Sequence, residues 1–310
     1  MHQKQDVRKI RLLDGSFSAS LQEVVPDFFD KERPNWTFDA VIDNPEAVRA
    51  VHMRYIDAGV DDITSNTYHA SLSCLREQGH NGKELIKEAV DLLKDVVTCY
   101  HPNENRRIWG SIGSYAICFR GQATEYTGSF VDTEIDVMKK MVDYHKNQIE
   151  AMKAAGLTDL LFETLSTTKE AEALCEALDG YDVLRAVICF SCQKDGVSIR
   201  HGEPFKDAVR LVIRNPKVVG FGINCTHPAA VTSLLESISG IQHEKEIFVY
   251  ANSGKYEQTD GEKPSIEIIL DSIARWVELG ATVIGGCCGI GSSDISRIRK
   301  KIDDLNAVIF

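Results

Sequence analysis

The sequence has no long apolar segment, since nothing in it approaches the roughly 20 consecutive apolar residues that span a bilayer. It begins with a polar stretch, residues 1–6, and lacks the apolar region of a secretory signal. Positive charge is scarce, because 35 Lys and Arg oppose 46 Asp and Glu for a formal net charge of -11. Nucleic-acid binding needs a clustered positive surface. We therefore expect a cytoplasmic protein that binds neither membranes nor nucleic acids.

The cysteines also lack the even number and close spacing that are typical of a small domain stabilised by disulfides. The nine cysteines are an odd number and are spread over 310 residues. In a reducing compartment, cysteines that lie close together more often bind a metal or take part in catalysis. No linker rich in glycine, serine or proline divides the chain, so residues 1–310 are expected to form one domain.

Short apolar runs alternate with longer amphipathic segments along the whole chain, which is typical of βα units and a parallel sheet. The predicted strands are residues 10–13, 62–64, 107–111, 159–162, 183–190, 218–223, 247–250 and 282–285. The predicted helices are residues 45–58, 82–99, 133–155, 168–178, 205–214, 228–238, 265–279 and 293–305. Eight such units predict an α/β fold, a (β/α)8 TIM-type barrel, although a doubly wound open sheet gives similar local patterns. The positions of the polar residues favour the barrel.

Two long irregular stretches, residues 16–44 and 114–131, follow the first and third predicted strands. In a barrel the active site lies at the carboxyl ends of the strands. We therefore expect these two loops to cover a bound substrate.

Three cysteines fall at such strand ends. Cys225 follows the sixth predicted strand, and Cys287 and Cys288 follow the eighth. In a closed barrel these positions share one rim, so the three thiols can converge. Three sulfur ligands with one open position are typical of a catalytic zinc site, and the open position would accept a substrate thiol.

Core filling is the alternative explanation for these cysteines. Consecutive residues of a regular strand point to opposite faces, so the use of Cys287 and Cys288 together requires an irregular turn. Spacing alone leaves metal binding and core filling equally open. The glycines on both sides of the pair permit unusual backbone angles and favour the metal.

The other cysteines are predicted to fill core space. Cys189 and Cys192 form a CxxC pattern, and a redox function is the alternative for this pair. A thioredoxin-like pair normally opens a helix, however, whereas these two run from a strand into a loop. Cysteines without a close partner receive the same interpretation; they are Cys74, Cys99, Cys118 and Cys175.

Further polar residues follow other strands and belong to the same predicted rim. They are Asp14 and Gly15, residues 66–69, Glu163 and Thr164, and Asn252 and Ser253. Glu163 could bind the ammonium group of an amino acid or cap the next helix, and the two roles stay open. His69 could be a fourth metal ligand in the absence of substrate, or an ordinary hydrogen-bonding residue.

Seven ordered blocks of this sequence resemble the homocysteine S-methyltransferase family, which includes betaine-homocysteine methyltransferase. They are Leu-Asp-Gly (13–15), Thr-Ser-Asn-Thr-Tyr (64–68), Gly-Ser-Ile-Gly (110–113), Phe-Glu-Thr (162–164), Gly-Ile-Asn-Cys (222–225), Tyr-Ala-Asn-Ser-Gly (250–254) and Gly-Gly-Cys-Cys-Gly (285–289). The resemblance implies that Cys225, Cys287 and Cys288 bind zinc. It also implies that Asp14, Gly15 and Glu163 hold the amino and carboxylate ends of homocysteine. The residues implied to line the pocket are Thr67, Tyr68, Asn224 and Ser253.

The implied reaction is methyl transfer to homocysteine, forming methionine, in a monomer or small homo-oligomer. A small sulfonium donor is expected, S-methylmethionine first and S-adenosylmethionine second, because the chain ends at Phe310 without the long arm of the betaine type. The alternatives are a betaine- or selenohomocysteine-directed methyltransferase and a non-catalytic, zinc-stabilised binding protein. The family's first block continues with Gly-Thr-Glu-Leu where this chain has Ser16 and Phe17, which leaves donor recognition open.

Overall fold

The computed structural model describes residues 9–119, 124–254 and 263–309. Eight strands follow one another along the chain, and every paired strand runs parallel to its neighbour. They are β1 (Arg11–Leu12), β2 (Asp62–Thr64), β3 (Arg107–Gly113), β4 (Asp159–Leu165), β5 (Arg185–Phe190), β6 (Val218–Asn224), β7 (Glu246–Ala251) and β8 (Val283–Gly286).

The strands form one sheet in the order β1-β8-β7-β6-β5-β4-β3-β2. An isolated parallel bridge between Leu13 and Asp62 joins β1 to β2, and the Asp61 amide donates to the Leu12 carbonyl at 2.8 Å. The sheet is therefore a nearly closed (β/α)8 barrel, and the open-sheet alternative is excluded.

Twelve α-helices accompany the strands in the described residues. They are α1 (Phe17–Val24), α2 (Asp39–Asp43), α3 (Pro45–Asp57), α4 (Leu72–Glu77), α5 (Gly82–Cys99), α6 (Phe130–Thr133), α7 (Val137–Ala154), α8 (Thr168–Asp179), α9 (Phe205–Val212), α10 (Pro228–Ile238), α11 (Ser265–Glu278) and α12 (Ser292–Ile309). The local sequence explains where α3 begins: the Asn44 side chain caps the helix by accepting a hydrogen bond from the Ala47 amide, and Pro45 occupies the first helical position.

Charged side chains fill the amino-terminal end of the barrel. Arg11 binds Asp62 and Glu246, each at 2.6 Å, and the Trp109 indole donates to the buried Asp62 carboxylate at 2.9 Å. Above this layer, Leu161, Phe248 and other inward residues make an apolar cluster. Side chains therefore fill the amino-terminal end and the middle of the barrel, and a site can form at its carboxyl-terminal end.

The structure corrects three sequence predictions. Neither long loop is irregular, since 16–44 contains α1, α2 and two short 3-10 helices, and the described part of 114–131 contains two short 3-10 helices and the start of α6. The predicted helix 133–155 is interrupted between α6 and α7, because Asp136 adopts a left-handed conformation with φ 54°. Cys99 is exposed and does not fill core space.

Among the described residues, no helix is both long and apolar enough to cross a membrane.

Candidate metal centre and pocket

The three predicted cysteines meet at the carboxyl-terminal rim. Their sulfur atoms all lie within 4.8 Å of one another, and the Sγ atoms of Cys225 and Cys288 are 3.5 Å apart. Strand register explains this convergence, because Asn224 pairs with Tyr250 across β6 and β7, and Ala251 pairs with Gly286 across β7 and β8.

An irregular turn carries the cysteine pair, as the sequence predicted. The Cys287 amide donates to the Ala251 carbonyl at 2.9 Å, and the Ser253 amide donates to the Cys288 carbonyl at 2.7 Å. Gly289 then takes a left-handed φ of 79°. A Cβ at Gly289 would lie 2.2 Å from the Ser253 hydroxyl, so this position requires glycine.

Cys225 has its own unusual backbone, with φ 45°. Its carbonyl accepts hydrogen bonds from the Ser191 hydroxyl at 3.0 Å and from Arg200 Nη2 at 3.2 Å. A left-handed non-glycine residue persists only where its surroundings hold it. These two donors hold the backbone that presents the Cys225 sulfur.

Cys225 and Cys287 are joined as a disulfide in the structure, whereas Cys288 is free and exposed. The sequence predicted three free thiols, so this is a difference in oxidation state. A bonded pair cannot supply two thiolates, and metal binding by all three sulfurs therefore requires the pair to be reduced.

The donor set fits a thiophilic metal ion. Two zinc–sulfur bonds of about 2.3 Å at a tetrahedral angle place their sulfurs about 3.8 Å apart, close to the 3.5 Å between Cys225 and Cys288. Three cysteine sulfurs leave a fourth position for another ligand.

Tyr126 is a residue of the site that sequence reasoning missed. Its hydroxyl lies 3.9 Å from the sulfurs of both Cys225 and Cys288, and its ring faces the Arg200 guanidinium at 5.3 Å. Burial, and then the neighbouring Cys288 and Glu125, raise the pKa of Tyr126. The available signal was its position in the 114–131 loop, which was expected to cover substrate.

Asp14 lies at the end of β1 and is buried. Its carboxylate accepts from the amide and the hydroxyl of Thr64, at 2.7 and 2.9 Å. Burial outweighs these hydrogen bonds and raises the pKa of Asp14 to about 8. The next residue, Gly15, packs so closely that a Cβ there would lie 2.5 Å from the Ile290 carbonyl oxygen.

Glu163 is the second carboxylate of the rim, and the Ser111 hydroxyl donates to it. Burial raises the pKa of Glu163 to about 7, against the lowering effect of Ser111 and Tyr250. The cap of the next helix is Thr167, whose hydroxyl accepts from the Glu170 amide at 3.0 Å. Of the two roles left open for Glu163, helix capping is therefore excluded.

Thr67 and Asn224 are bound into the barrel wall. The Thr67 hydroxyl donates to the Ser111 carbonyl at 2.7 Å. Asn224 forms two hydrogen bonds with Thr164, whose φ is 61°. Their side chains thus support the neighbouring Glu163 and Cys225.

The remaining predicted residues lie around this rim. The ring of Tyr68 packs against that of His69, with the centroids 4.6 Å apart. Ser253 and Gly289 line an open cavity of about 560 Å³. The group of potential metal ligands within 4.8 Å of one another contains the three cysteines and not His69. Burial lowers the pKa of the His69 imidazole to about 4. The CxxC thiols of Cys189 and Cys192 are free and buried, as the core interpretation predicted.

Comparison with known proteins gives a consistent result. The family model described as homocysteine S-methyltransferase matches residues 11–302. A betaine-homocysteine S-methyltransferase of Drosophila melanogaster is 32% identical over 97% of this chain and 96% of its own length. Homocysteine S-methyltransferase 1 of Zea mays is 32% identical over 93% of each chain.

Solved structures show the same similarity. The homocysteine methyltransferase MmuM from Escherichia coli, in its metallated form, has a TM-score of 0.81 and 29% sequence identity, covering 96% of this chain and 97% of that one. Its oxidized form has a TM-score of 0.82 and 28% identity with the same coverage.

Proposed function

The chain belongs to the homocysteine S-methyltransferase family and is an enzyme that methylates homocysteine, and we propose that its metal is zinc and its methyl donor a small sulfonium compound. The observation that carries the proposal is the convergence of Cys225, Cys287 and Cys288, whose sulfurs lie within 4.8 Å of one another. A non-catalytic role is disfavoured because the described cluster holds three ligand groups and leaves a fourth position open.

The thiol of homocysteine needs activation, since a free thiol has a pKa near or above 8.5 and the thiolate is the nucleophile. Zinc bound by three cysteines would lower the pKa of a thiol that takes the open position. The chain's own task is to present three reduced sulfurs in fixed positions. The hydrogen bonds to the Cys225 carbonyl and around the Cys287 turn fix the backbone positions of these cysteines.

Asp14 and Glu163 bind the ammonium group of homocysteine in this proposal. Both are carboxylates on the same rim, and burial raises the pKa of each. An ammonium group placed beside them stabilises the charged carboxylates and offsets their desolvation. The amino acid is thereby oriented with its sulfur toward the cysteine cluster.

S-methylmethionine is the preferred candidate for the methyl donor, and S-adenosylmethionine is the next. A sulfonium sulfur becomes neutral when its methyl group leaves, so the protein mainly needs to align the methyl carbon with the attacking sulfur. Ser253 and Gly289 line an open cavity that none of the three cysteines lines, and in this proposal the donor enters through it.

Betaine is the alternative to a sulfonium donor. A protein named betaine-homocysteine S-methyltransferase is 32% identical over 97% of this chain, the same identity as that of homocysteine S-methyltransferase 1 of Zea mays, so betaine is kept as the alternative.

A donor panel tests the assignment. The reduced, zinc-loaded enzyme is incubated with homocysteine and one of S-methylmethionine, S-adenosylmethionine or betaine, and methionine is quantified by mass spectrometry. Fastest formation with S-methylmethionine or with S-adenosylmethionine supports a sulfonium donor, whereas fastest formation with betaine replaces the sulfonium donor by betaine. If no donor yields methionine, the substrate assignment is wrong.

A further inference from the structure

The proposed reaction creates a problem of selectivity at the cysteine cluster. Four sulfurs would surround one metal ion, and only the substrate sulfur should be methylated. Cysteine thiolates are strong nucleophiles themselves. Cys288 is exposed at the mouth of the site, so an alkylating donor that reaches the substrate can also reach a ligand sulfur.

Tyr126 lies close to the ligand sulfurs and can make them differ in reactivity from the substrate sulfur. Its hydroxyl is 3.9 Å from Cys225 Sγ and 3.9 Å from Cys288 Sγ, within hydrogen-bonding range for sulfur. The hydroxyl has one proton, so it donates to one of the two sulfurs at a time. Tyr126 is 37% exposed, so the residue contacts both the cysteine sulfurs and the solvent. A phenol that donates to a thiolate withdraws charge from the sulfur lone pairs and lowers their nucleophilicity.

The surrounding chain holds Tyr126 in this position. Arg200 faces its ring at 5.3 Å, and the same guanidinium donates to the Cys225 carbonyl at 3.2 Å. The turn that carries Tyr126 is closed by the Gly128 amide, which donates to the Thr124 carbonyl at 2.7 Å. The hydroxyl and the Cys225 sulfur are therefore fixed by one common side chain.

We propose that Tyr126 is a selectivity residue that protects the ligand sulfurs of Cys225 and Cys288 from alkylation through its hydroxyl, leaving the substrate sulfur as the preferred nucleophile. The proposal rests on the proposed function. It assigns to Tyr126 a chemical task distinct from holding the metal or the amino acid.

Alkylation of the protein itself tests the proposal without any methyl-transfer assay. The cysteine sulfur forms a bond to the methylene carbon of iodoacetamide while iodide leaves. Each modified cysteine therefore carries an added mass that can be measured. The reduced, zinc-loaded enzyme is treated without homocysteine, and modification is followed at each cysteine by peptide mass spectrometry. Zinc content is measured in the same samples.

The Tyr126→Phe variant keeps the ring and removes the hydroxyl. We expect Cys225 and Cys288 to react about 3- to 10-fold faster than in the wild type, the effect of losing one hydrogen bond. The matched control is Tyr115→Phe, whose ring packs against Phe119 and Phe130. Exposed Cys99 serves as the internal reference, and its rate should be equal in all three proteins.

A second variant is expected to lower the alkylation rates of Cys225 and Cys288. Replacing Tyr126 by 3-fluorotyrosine gives a more acidic phenol and a stronger donor, so the same two cysteines should react more slowly than in the wild type. This variant decides the question if Tyr126→Phe loses zinc.

Equal alkylation rates in the wild type and the zinc-loaded variants would overturn the proposal, even if the enzyme makes methionine. Failure of the wild type to bind zinc would instead overturn the proposed function, so the two failures are distinguishable.

Discussion

Asn224 and Thr164 are joined by two hydrogen bonds across the rim of the barrel. The Thr164 amide donates to Asn224 Oδ1 at 2.9 Å, and Asn224 Nδ2 donates to the Thr164 hydroxyl at 2.8 Å. Thr164 directly follows Glu163, and Asn224 directly precedes Cys225. One side chain therefore links the segment that binds the ammonium group in our proposal to the segment that carries a metal ligand.

Asn224→Ala should lower the free energy of unfolding by about 2–3 kcal/mol, because it leaves buried groups of Thr164 without partners. It should also weaken homocysteine binding, since Glu163 and Cys225 lose their common support. Urea unfolding and the KM for homocysteine measure the two effects.

Asn306→Ala is the matched control for Asn224→Ala. Asn306 also makes two hydrogen bonds, both to the backbone of Ile10, far from the rim. It should lower stability without changing the KM for homocysteine. Equal KM changes in the two variants would contradict a specific role for Asn224.

Ammonium binding should depend on pH in a definite direction. Burial raises the pKa of Glu163 to about 7 and of Asp14 to about 8, so in the free enzyme both carboxyl groups are neutral at low pH. A neutral carboxyl cannot pair with ammonium, and affinity should therefore rise between pH 6 and pH 8.5. Binding of the product methionine, followed by calorimetry, measures this without interference from thiol ionisation.

Variants of the two carboxylates separate their contributions. Glu163→Gln should weaken methionine binding about 10- to 100-fold at pH 8, the effect of one hydrogen bond to a charged group. It should also remove the part of the pH dependence near 7 and move the part near 8 to lower pH, because the charge of Glu163 contributes to the raised pKa of Asp14. Affinity that is constant from pH 6 to pH 8.5 in the wild type would argue against ammonium binding by these residues.

Metal uptake should require a reductant. Because Cys225 and Cys287 can form a disulfide, protein kept under oxidising conditions should bind little zinc, and a phosphine reductant should restore about one zinc per chain. Elemental analysis after gel filtration provides the measurement. Equal zinc content before and after reduction would show that the pair is not part of the metal site.

The barrel and its cysteine cluster could be predicted because both follow from local patterns. Apolar runs mark the strands, and a parallel barrel brings all strand ends to one rim. Cys225 and Cys287 are 62 residues apart in sequence, yet their placement at the ends of β6 and β8 was enough to bring them together.

Tyr126 and the break at Asp136 could not be predicted in the same way. Residues 133–136 read as the start of a helix, and nothing local reveals that Asp136 takes φ 54°. The contact of Tyr126 with two sulfurs depends on how its loop folds across the rim and on its contact with Arg200. Such long-range packing is not encoded in periodicity or spacing.

The central claim is that zinc held by Cys225, Cys287 and Cys288 activates homocysteine. The most direct test is methionine formation from homocysteine and S-methylmethionine by reduced protein before and after metal removal, and again after one equivalent of zinc is returned. We expect removal to abolish activity, zinc to restore it, and Cys287→Ala to bind no zinc and stay inactive, with exposed Cys99→Ala as the control that retains both. Full activity in the metal-free protein would contradict the account.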